Sequence, residues 1–434
     1  MLTGPTATRS RRTRQNTLAV RVREIGTLLP AWEAIRRNGE TSKSRKTREE
    51  TRKFQADLPR ELRTIQERLR RAPYKFARQI GATPEKAKGK GKRPLVIAPI
   101  PDRIVQRAIL DVLQDAKELT AVQQVLATPT SIGGIRGRGV EDAIAIIEQA
   151  WSDGNAIHVA GSDISGFFTR INQAGVVKFI KEQTNDEEFI DLFASALRVD
   201  LANADNMTPE ERKLFPSDGT GVAQGCPLSA FAGNVALREF DAQMNGRGII
   251  CVRYIDDFIL LGRRQTDVFK AFESAGDYLA RLDMSIYKPE DRPDKAFCGQ
   301  MGGQFEFLGY QLIPGKYPPT EKNQKSIVES VQREFEHGRS QILRSFDAKH
   351  QGKPLQVYAQ TFVCVDALLR AWSGSFRACR CVTTAQRIDE AINRLISDFI
   401  AFYRDRTSER DVIIKRRALG VHVLADEIYR RTKK

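Results

Sequence analysis

The stretch Ile249-Ile250-Cys251-Val252-Arg253-Tyr254-Ile255-Asp256-Asp257-Phe258-Ile259-Leu260-Leu261 constrains this chain more than any other. Two apolar runs rich in Ile, Val, Tyr and Phe flank a pair of adjacent acids. Such residues favour a pleated, buried surface, so the stretch predicts a β-hairpin with both carboxylates at its turn. Asp-Asp also occurs in ordinary turns, where water solvates it. At the tip of an apolar hairpin, two neighbouring carboxylates repel one another and do not both stay ionised unaided. A divalent cation resolves that repulsion, and Mg²⁺ prefers carboxylate oxygen.

A third acid lies earlier in the chain. Residues 155–160 read as a strand ending at Gly161-Ser162-Asp163, followed by Ile164-Ser165-Gly166-Phe167-Phe168. A strand-end acid before a compact turn can offer its carboxylate and a backbone carbonyl, here that of Ile164, to one ion. Asp163, Asp256 and Asp257 together would form a three-carboxylate cluster. Such a cluster can hold two Mg²⁺ (or Mn²⁺) about 4 Å apart, activating an attacking 3′-oxygen and stabilising a leaving pyrophosphate. Taken alone, Asp163 reads equally well as a helix cap.

The composition suits a polyanion partner. The 434 residues carry a net charge of +16, and 41% are hydrophobic, enough for a sizeable core. Nucleic acid is the simplest partner for that charge, with an anionic membrane surface as the competitor. No apolar run reaches the roughly 18 residues of a membrane span. The N-terminus has no apolar leader segment, so a cytoplasmic location is expected. Six cysteines without a C-x-x-C pair and only four histidines argue against a structural zinc site or a disulfide framework.

Basic residues cluster at Arg9, Arg11, Arg12 and Arg14, and residues 1–20 are expected to be mobile. Leu58, Leu62, Ile65 and Leu69 have helical spacing. Lys86, Lys88, Lys92 and Arg93 lie on a Gly-broken loop that can close over a triphosphate, though a basic loop alone is more often solvated surface. A β-type run, 94–98, follows, then a helix opened by Pro101 and capped by Asp102. Gly133, Gly134, Gly137 and Gly139 alternate with Arg136 and Arg138; Gly allows close backbone approach and Arg pairs with phosphates. A disordered basic linker is the competing reading there. Residues 172–214 read as mainly helical, 227–244 as one helix and 268–282 as another. Residues 219–225 form a Gly-rich turn, in which Gln224 and backbone amides can face a nucleotide. Phe305 to Leu312 reads as a strand pair, and 315–434 as a helical domain.

The order of these blocks resembles the reverse transcriptases, most closely their bacterial group II intron-like branch. Arg93-Pro94-Leu95-Val96-Ile97 and Asp102-Arg103-Ile104-Val105-Gln106-Arg107-Ala108-Ile109-Leu110 are similar to the early fingers blocks, and Gly133 to Arg138 to the Gly–Arg fingers block. Asp163 to Phe168 resembles the first catalytic palm motif. Gln224-Gly225-Cys226-Pro227-Leu228-Ser229 resembles QGxPLS, and Tyr254 to Asp257 resembles YxDD. Phe307-Leu308-Gly309-Tyr310 is similar to the block that grips the primer, and Leu369 to Arg377 to the W-x-G-x-F-R stretch of the thumb. The resemblance spans about residues 73 to 405.

It implies an α+β right-hand polymerase. A basic helical N-terminal extension (1–72) would precede fingers (73–160), a palm with an antiparallel sheet (161–314, with a helical insertion at about 172–215) and a helical thumb (315–434). It implies synthesis of DNA from dNTPs on an RNA template, the template being in some such enzymes a dedicated non-coding RNA. Asp163, Asp256 and Asp257 would be the catalytic metal ligands. Phe168 would crowd a ribose 2′-OH, Gln224 would meet the incoming nucleotide, and Tyr254 would support the primer end. Arg93 with Lys86 or Lys88 would hold the triphosphate. Arg103, Arg136, Arg138 and Gly309 would contact nucleic acid. The family usually carries a Lys where this chain has Asp291, leaving Lys288 or Lys295 for that role. Tyr74-Lys75-Phe76 before the Asp102 block looks like stand-alone enzymes of phage-defence systems. The alternative from another class is a maturase-type RNA-binding splicing cofactor.

Overall fold

The computed structural model describes residues 17–42, 44–71, 73–85, 92–217, 219–347 and 355–432. The chain divides into two compact units, Met1–Gln300 and Met301–Lys434. Lys86, Lys88 and the arginines at 9, 11, 12 and 14 lie outside the described residues.

The first unit opens with four helices: α1 (Leu18–Val22), α2 (Ile25–Glu40), α3 (Arg45–Ala56) and α4 (Leu58–Arg70). The mobility expected for residues 1–20 does not extend to its last members. The Thr17 side chain caps α1, and Leu18 and Ala19 are buried. Burial of Leu28, Trp32 and Ile35 fastens α2 to the rest of the unit. It packs on α5 (Ile100–Asp115), which follows a small hairpin of β1 (Ile80–Ala82) and β2 (Leu95–Ile97). Asp102 does not cap α5. It is buried in the first turn, where its carboxylate accepts the Tyr74 hydroxyl at 2.7 Å and the Ala77 N–H at 2.8 Å. Pro99 holds the cap position.

After α6 (Thr120–Ala127) and α7 (Val140–Ser152) comes β3 (His158–Ser165), the middle of a five-stranded antiparallel sheet. The strand begins later than expected and continues through Asp163. Pairing with β5 (Asp257–Gly262) reaches Asp163, and pairing with β6 (Ser285–Ile286) carries the strand two residues on. On the other edge of β5 lies β4 (Ile250–Tyr254), and β7 (Ala296–Gln300) pairs β3 from His158 to Ser162. Phe258, Ile259, Leu260 and Leu261 are all fully buried, because both faces of β5 are covered. This explains the unbroken apolar run that an alternating, half-exposed strand would not show.

Helices α8 (Gln173–Lys181) and α9 (Glu187–Leu197) occupy most of the region read as mainly helical; after Leu197 the chain turns away and only two short helical turns follow, Ala204–Asn206 and Pro209–Arg212. Gln79 bridges to Leu201, exchanging backbone bonds with Asp200 and Ala202 at 2.8 Å, so pairing with the residue before β1 displaces helix there. The helix expected over 227–244 is two, α10 (Ser229–Ala236) and α11 (Arg238–Met244), broken at Leu237. Helix α12 (Gln265–Ala280) packs on β3 and β5.

The second unit holds a short hairpin, β8 (Glu306–Phe307) and β9 (Tyr310–Gln311), and helices α13 (Glu321–Ser345), α14 (Tyr358–Ser375), α15 (Val382–Thr407), α16 (Val412–Leu419) and α17 (Leu424–Thr432). Its core joins Ile327, Val331 and Phe335 to Ile388, Ile392 and Phe399. The rings of Phe335 and Phe399 lie 4.8 Å apart, and Tyr358 stacks on Phe399 at 5.5 Å. Two blocks distant in sequence meet here. Phe376 touches Tyr310 at 5.3 Å and Trp372 at 4.8 Å. Among the described residues no helix is long and apolar enough to cross a membrane.

Candidate active site

The sheet brings the three acids to one end. Asp163 on β3 is the register partner of Asp257 on β5, and the Ile164 N–H donates to the Asp256 carbonyl at 2.7 Å. Tyr254 pairs with Asp257, leaving Ile255 and Asp256 as a two-residue turn. Ile255 has φ of 60°. Tight hairpins usually place Gly, Asn or Asp at such a position. A β-branched residue there stores about 1–3 kcal/mol, which the surroundings must hold.

They do so through Arg253, which is completely buried. Its Nε and Nη2 donate to the two oxygens of Asp241 at 2.7 and 2.6 Å. Nη2 also reaches Ser131 Oγ at 2.8 Å and Asn234 Oδ1 at 3.0 Å. Nη1 donates to the Ile255 carbonyl at 2.9 Å, inside the strained turn. The backbone of Arg253 meanwhile exchanges bonds with Thr130 and Ile132 at 2.9 and 2.8 Å. Gly133 lies so close that a Cβ there would sit 2.5 Å from Ile255 Cγ1 and 2.6 Å from its backbone N. The glycine of the Gly–Arg block therefore makes room for the acidic turn. Arg253, Asp241, Asn234 and Ser131 were not singled out from sequence. The available signal was a lone arginine inside an otherwise apolar strand, a position that demands a buried partner.

The electrostatics ask for a cation. Burial, and then the neighbouring Asp256, push the Asp257 carboxyl up to about 7. Asp163 is ion-paired to the Lys295 ammonium, which also faces the Tyr287 ring at 5.8 Å. Arg292 faces the same ring at 5.4 Å. Of the two lysines considered, Lys295 is the one brought to an acid of the cluster. Among the described residues, no three His, Cys, Asp or Glu side chains are already grouped as a metal site. The donors nevertheless fit hard divalent ions. One carboxylate is destabilised by burial and then by its neighbour, another is paired with an ammonium, and all offer oxygen donors at one sheet end.

The flanking segments are tied to one another. The Phe168 carbonyl accepts from Val222 N–H at 2.6 Å, and the Gln224 carbonyl from Val96 N–H at 2.9 Å. Phe168, Gln224, Tyr254 and Ile255 are half-buried, whereas Ile164 is buried. Arg93 is exposed at the base of the β1–β2 loop, which a Glu85–Lys92 bridge closes. Other arginines are engaged within the protein. Arg136 pairs with Asp111 at 2.8 Å and Asp115 at 2.6 Å, and Arg138 donates to the carbonyls of Thr128 and Ser131 at 2.5 and 2.7 Å. Arg103 is half-buried, its Nε without a hydrogen-bond partner among the described residues, and burial holds its pKa below the usual value. Gly309 belongs to the second unit, with φ of 86° and its carbonyl accepting from Asn323 Nδ2 at 3.0 Å.

Protein YkfC of Escherichia coli (strain K12) is 26% identical over 302 residues, covering 60% of this chain and 73% of the relative. A chain of the solved partial Cas6-RT-Cas1–Cas2 complex aligns at 21% identity with a TM-score of 0.35, over 61% of this chain and 42% of that one. This chain thus spans less than half the length of that structural neighbour. The family model described as reverse transcriptase (RNA-dependent DNA polymerase) matches residues 84–312, a range that contains every acid of the cluster. With more than half of its length so matched, the chain belongs to the reverse transcriptase family.

Proposed function

We propose that this protein extends a primer with deoxynucleotides on an RNA template, using two Mg²⁺ held by Asp163, Asp256 and Asp257 with the Ile164 carbonyl. The observation that carries the reading is the register of Asp163 against Asp257, with Asp256 tied to Ile164 at the same sheet end. Bound Mg²⁺ would supply Lewis-acid stabilisation of the entering and leaving oxygens. The chain's own residues do the rest. The sheet register aims the carboxylates, and the buried Arg253 fixes the turn that carries Asp256 and leads into Asp257. Lys295, ion-paired with Asp163, is the lysine placed to serve a leaving phosphate beside the acids in this reading.

In this reading, residues 73–160 act as fingers, 161–314 as palm and 315–434 as thumb. Phe168 crowds the 2′-position, Gln224 and Tyr254 meet nucleotide and primer end, and Arg93 with Lys86 or Lys88 meets the triphosphate. Arg103, Arg136, Arg138 and Gly309 serve the nucleic acid, the arginines by exchanging internal partners for phosphates or by holding the backbone that meets it. The test is incorporation of labelled dNTPs on an RNA template with a DNA primer. Asp256→Asn and Asp257→Asn should abolish it with the fold retained, and metal-dependent incorporation by either variant would defeat the reading. Phe168→Ala should relax the choice of sugar. A place in phage defence rests on the Tyr74 and Asp102 blocks alone, and sequencing the RNA that co-purifies with the protein tests it.

A further inference from the structure

We infer that Arg253 is a positioning residue for catalysis, setting the peptide plane that leads into Asp256, and that Asp241, Asn234 and Ser131 exist to aim it. The inference rests on the polymerase reading above. Four observations support it. First, Arg253 is fully buried yet spends one arm of its fork on the Ile255 carbonyl, at 2.9 Å. That carbonyl belongs to the peptide joining Ile255 to Asp256, so the bond restrains the unit from which the first acidic side chain departs.

Second, the remaining arms are engaged from other elements. Asp241 on α11 takes Nε and Nη2, and Asn234 on α10 shares Nη2 with Ser131. A planar guanidinium held at several donors cannot rotate without breaking bonds, so its free direction is fixed by the fold. Third, the turn needs holding, because Ile255 sits at φ of 60° with a branched side chain. Fourth, Asn234 Nδ2 donates to the Gly133 carbonyl at 2.9 Å, and Gly133 backs directly onto Ile255. The same network therefore clamps the turn from both sides.

A buried ion pair whose only task is stability is replaceable by apolar groups of similar volume. One that also positions a turn is not. This separates the two roles by experiment. The paired variant Arg253→Met with Asp241→Leu removes both charges together and should fold, whereas Arg253→Lys keeps a charge for Asp241 but loses the fork to Ile255. Two quantities are measured on the full chain. The first is single-nucleotide extension, resolved into kcat and the dNTP KM. The second is Mn²⁺ binding, followed by the electron paramagnetic resonance signal of the free ion without any substrate.

The expected result is a kcat lower by about 10- to 100-fold in both variants, as for one lost charge-assisted hydrogen bond. The dNTP KM should change by less than about threefold, and Mn²⁺ binding should weaken by about tenfold. A folded paired variant with wild-type kcat and wild-type Mn²⁺ binding overturns the inference and leaves Arg253 a structural ion. If the paired variant does not fold, Arg253→Lys decides on the same two readings. Failure of the wild type to incorporate any deoxynucleotide would overturn the polymerase reading instead. Mn²⁺ binding would then still report whether Arg253 sets the turn.

Discussion

Two hairpins of the first unit are built differently. The β4–β5 hairpin pairs five residues a side, closes with two residues and is pinned by a buried guanidinium. The β1–β2 hairpin pairs three a side and spans a long basic loop. It leaves its cross-strand pair Ile80 and Ile97 nearly half exposed, at 47% and 46%. The first carries the acids and the second the cations proposed for the triphosphate. Carboxylates that share an ion need positions fixed within a fraction of an ångström. The triphosphate role proposed for the second sets no such demand on its ladder. The acids thus lie on the longer ladder, pinned from within, whereas the shorter ladder is held from outside, by Asn203 on Gly81 and by the Gln224 carbonyl on Val96.

The largest effect should come from the rigid hairpin's chemistry. Asp257→Asn is expected to reduce primer extension by about 10³-fold or more while circular dichroism stays unchanged. Next, breaking the Arg253–Asp241 pair from one side, as in Asp241→Ala, leaves a buried charge without its partner. That should cost about 3–5 kcal/mol in urea unfolding, whereas a cost below about 1 kcal/mol would show the hairpin is not pinned as described.

A third measurement follows from Asp257. Its pKa is raised to about 7 by burial and by Asp256, so the folded chain holds this proton more tightly than the unfolded one. The metal-free fold should therefore lose stability as pH rises from the ordinary carboxylate range through about 7. In EDTA at pH 8, Asp257→Asn should melt several degrees above wild type, with the gap narrowing toward pH 5. Parallel melting curves across that range would mean the carboxyl is already solvated.

At the shorter hairpin the effects should be smaller. Arg93→Ala should raise the dNTP KM about tenfold with kcat nearly unchanged if, as proposed, it holds the triphosphate before and during reaction alike. Ile97→Thr should shift stability by no more than about 0.5 kcal/mol, because the side chain is half exposed. A large loss there would show the hairpin to be as constrained as its counterpart.

Much of this contrast was legible in the chain. The apolar flanks around Asp256 and Asp257 gave the hairpin, and the helical spacing of Leu62, Ile65 and Leu69 gave α4. Boundaries were less legible where a distant partner decided them. β3 runs past Asp163 because β5 and β6 pair there, and the segment after Leu197 leaves the helix because Gln79 claims its backbone. Asp102 looked like a cap and proved to be a buried acceptor for Tyr74, a partner that helix rules do not consider.

The sequence by itself determined that two adjacent carboxylates lie where a tight hairpin closes between buried strands, Asp256 in the turn and Asp257 opening the next strand, and that the chain is strongly basic. Both are local or additive properties, readable from neighbouring residues and a sum of charges. Only the tertiary structure decided that Asp163 faces Asp257, that Lys295 rather than Lys288 meets Asp163, and that Arg253 grips Ile255 through Asp241, Asn234 and Ser131. Those are choices of partner among many residues of the same type. They are made by strand register and helix packing, where one residue of slip would turn each side chain to the opposite face.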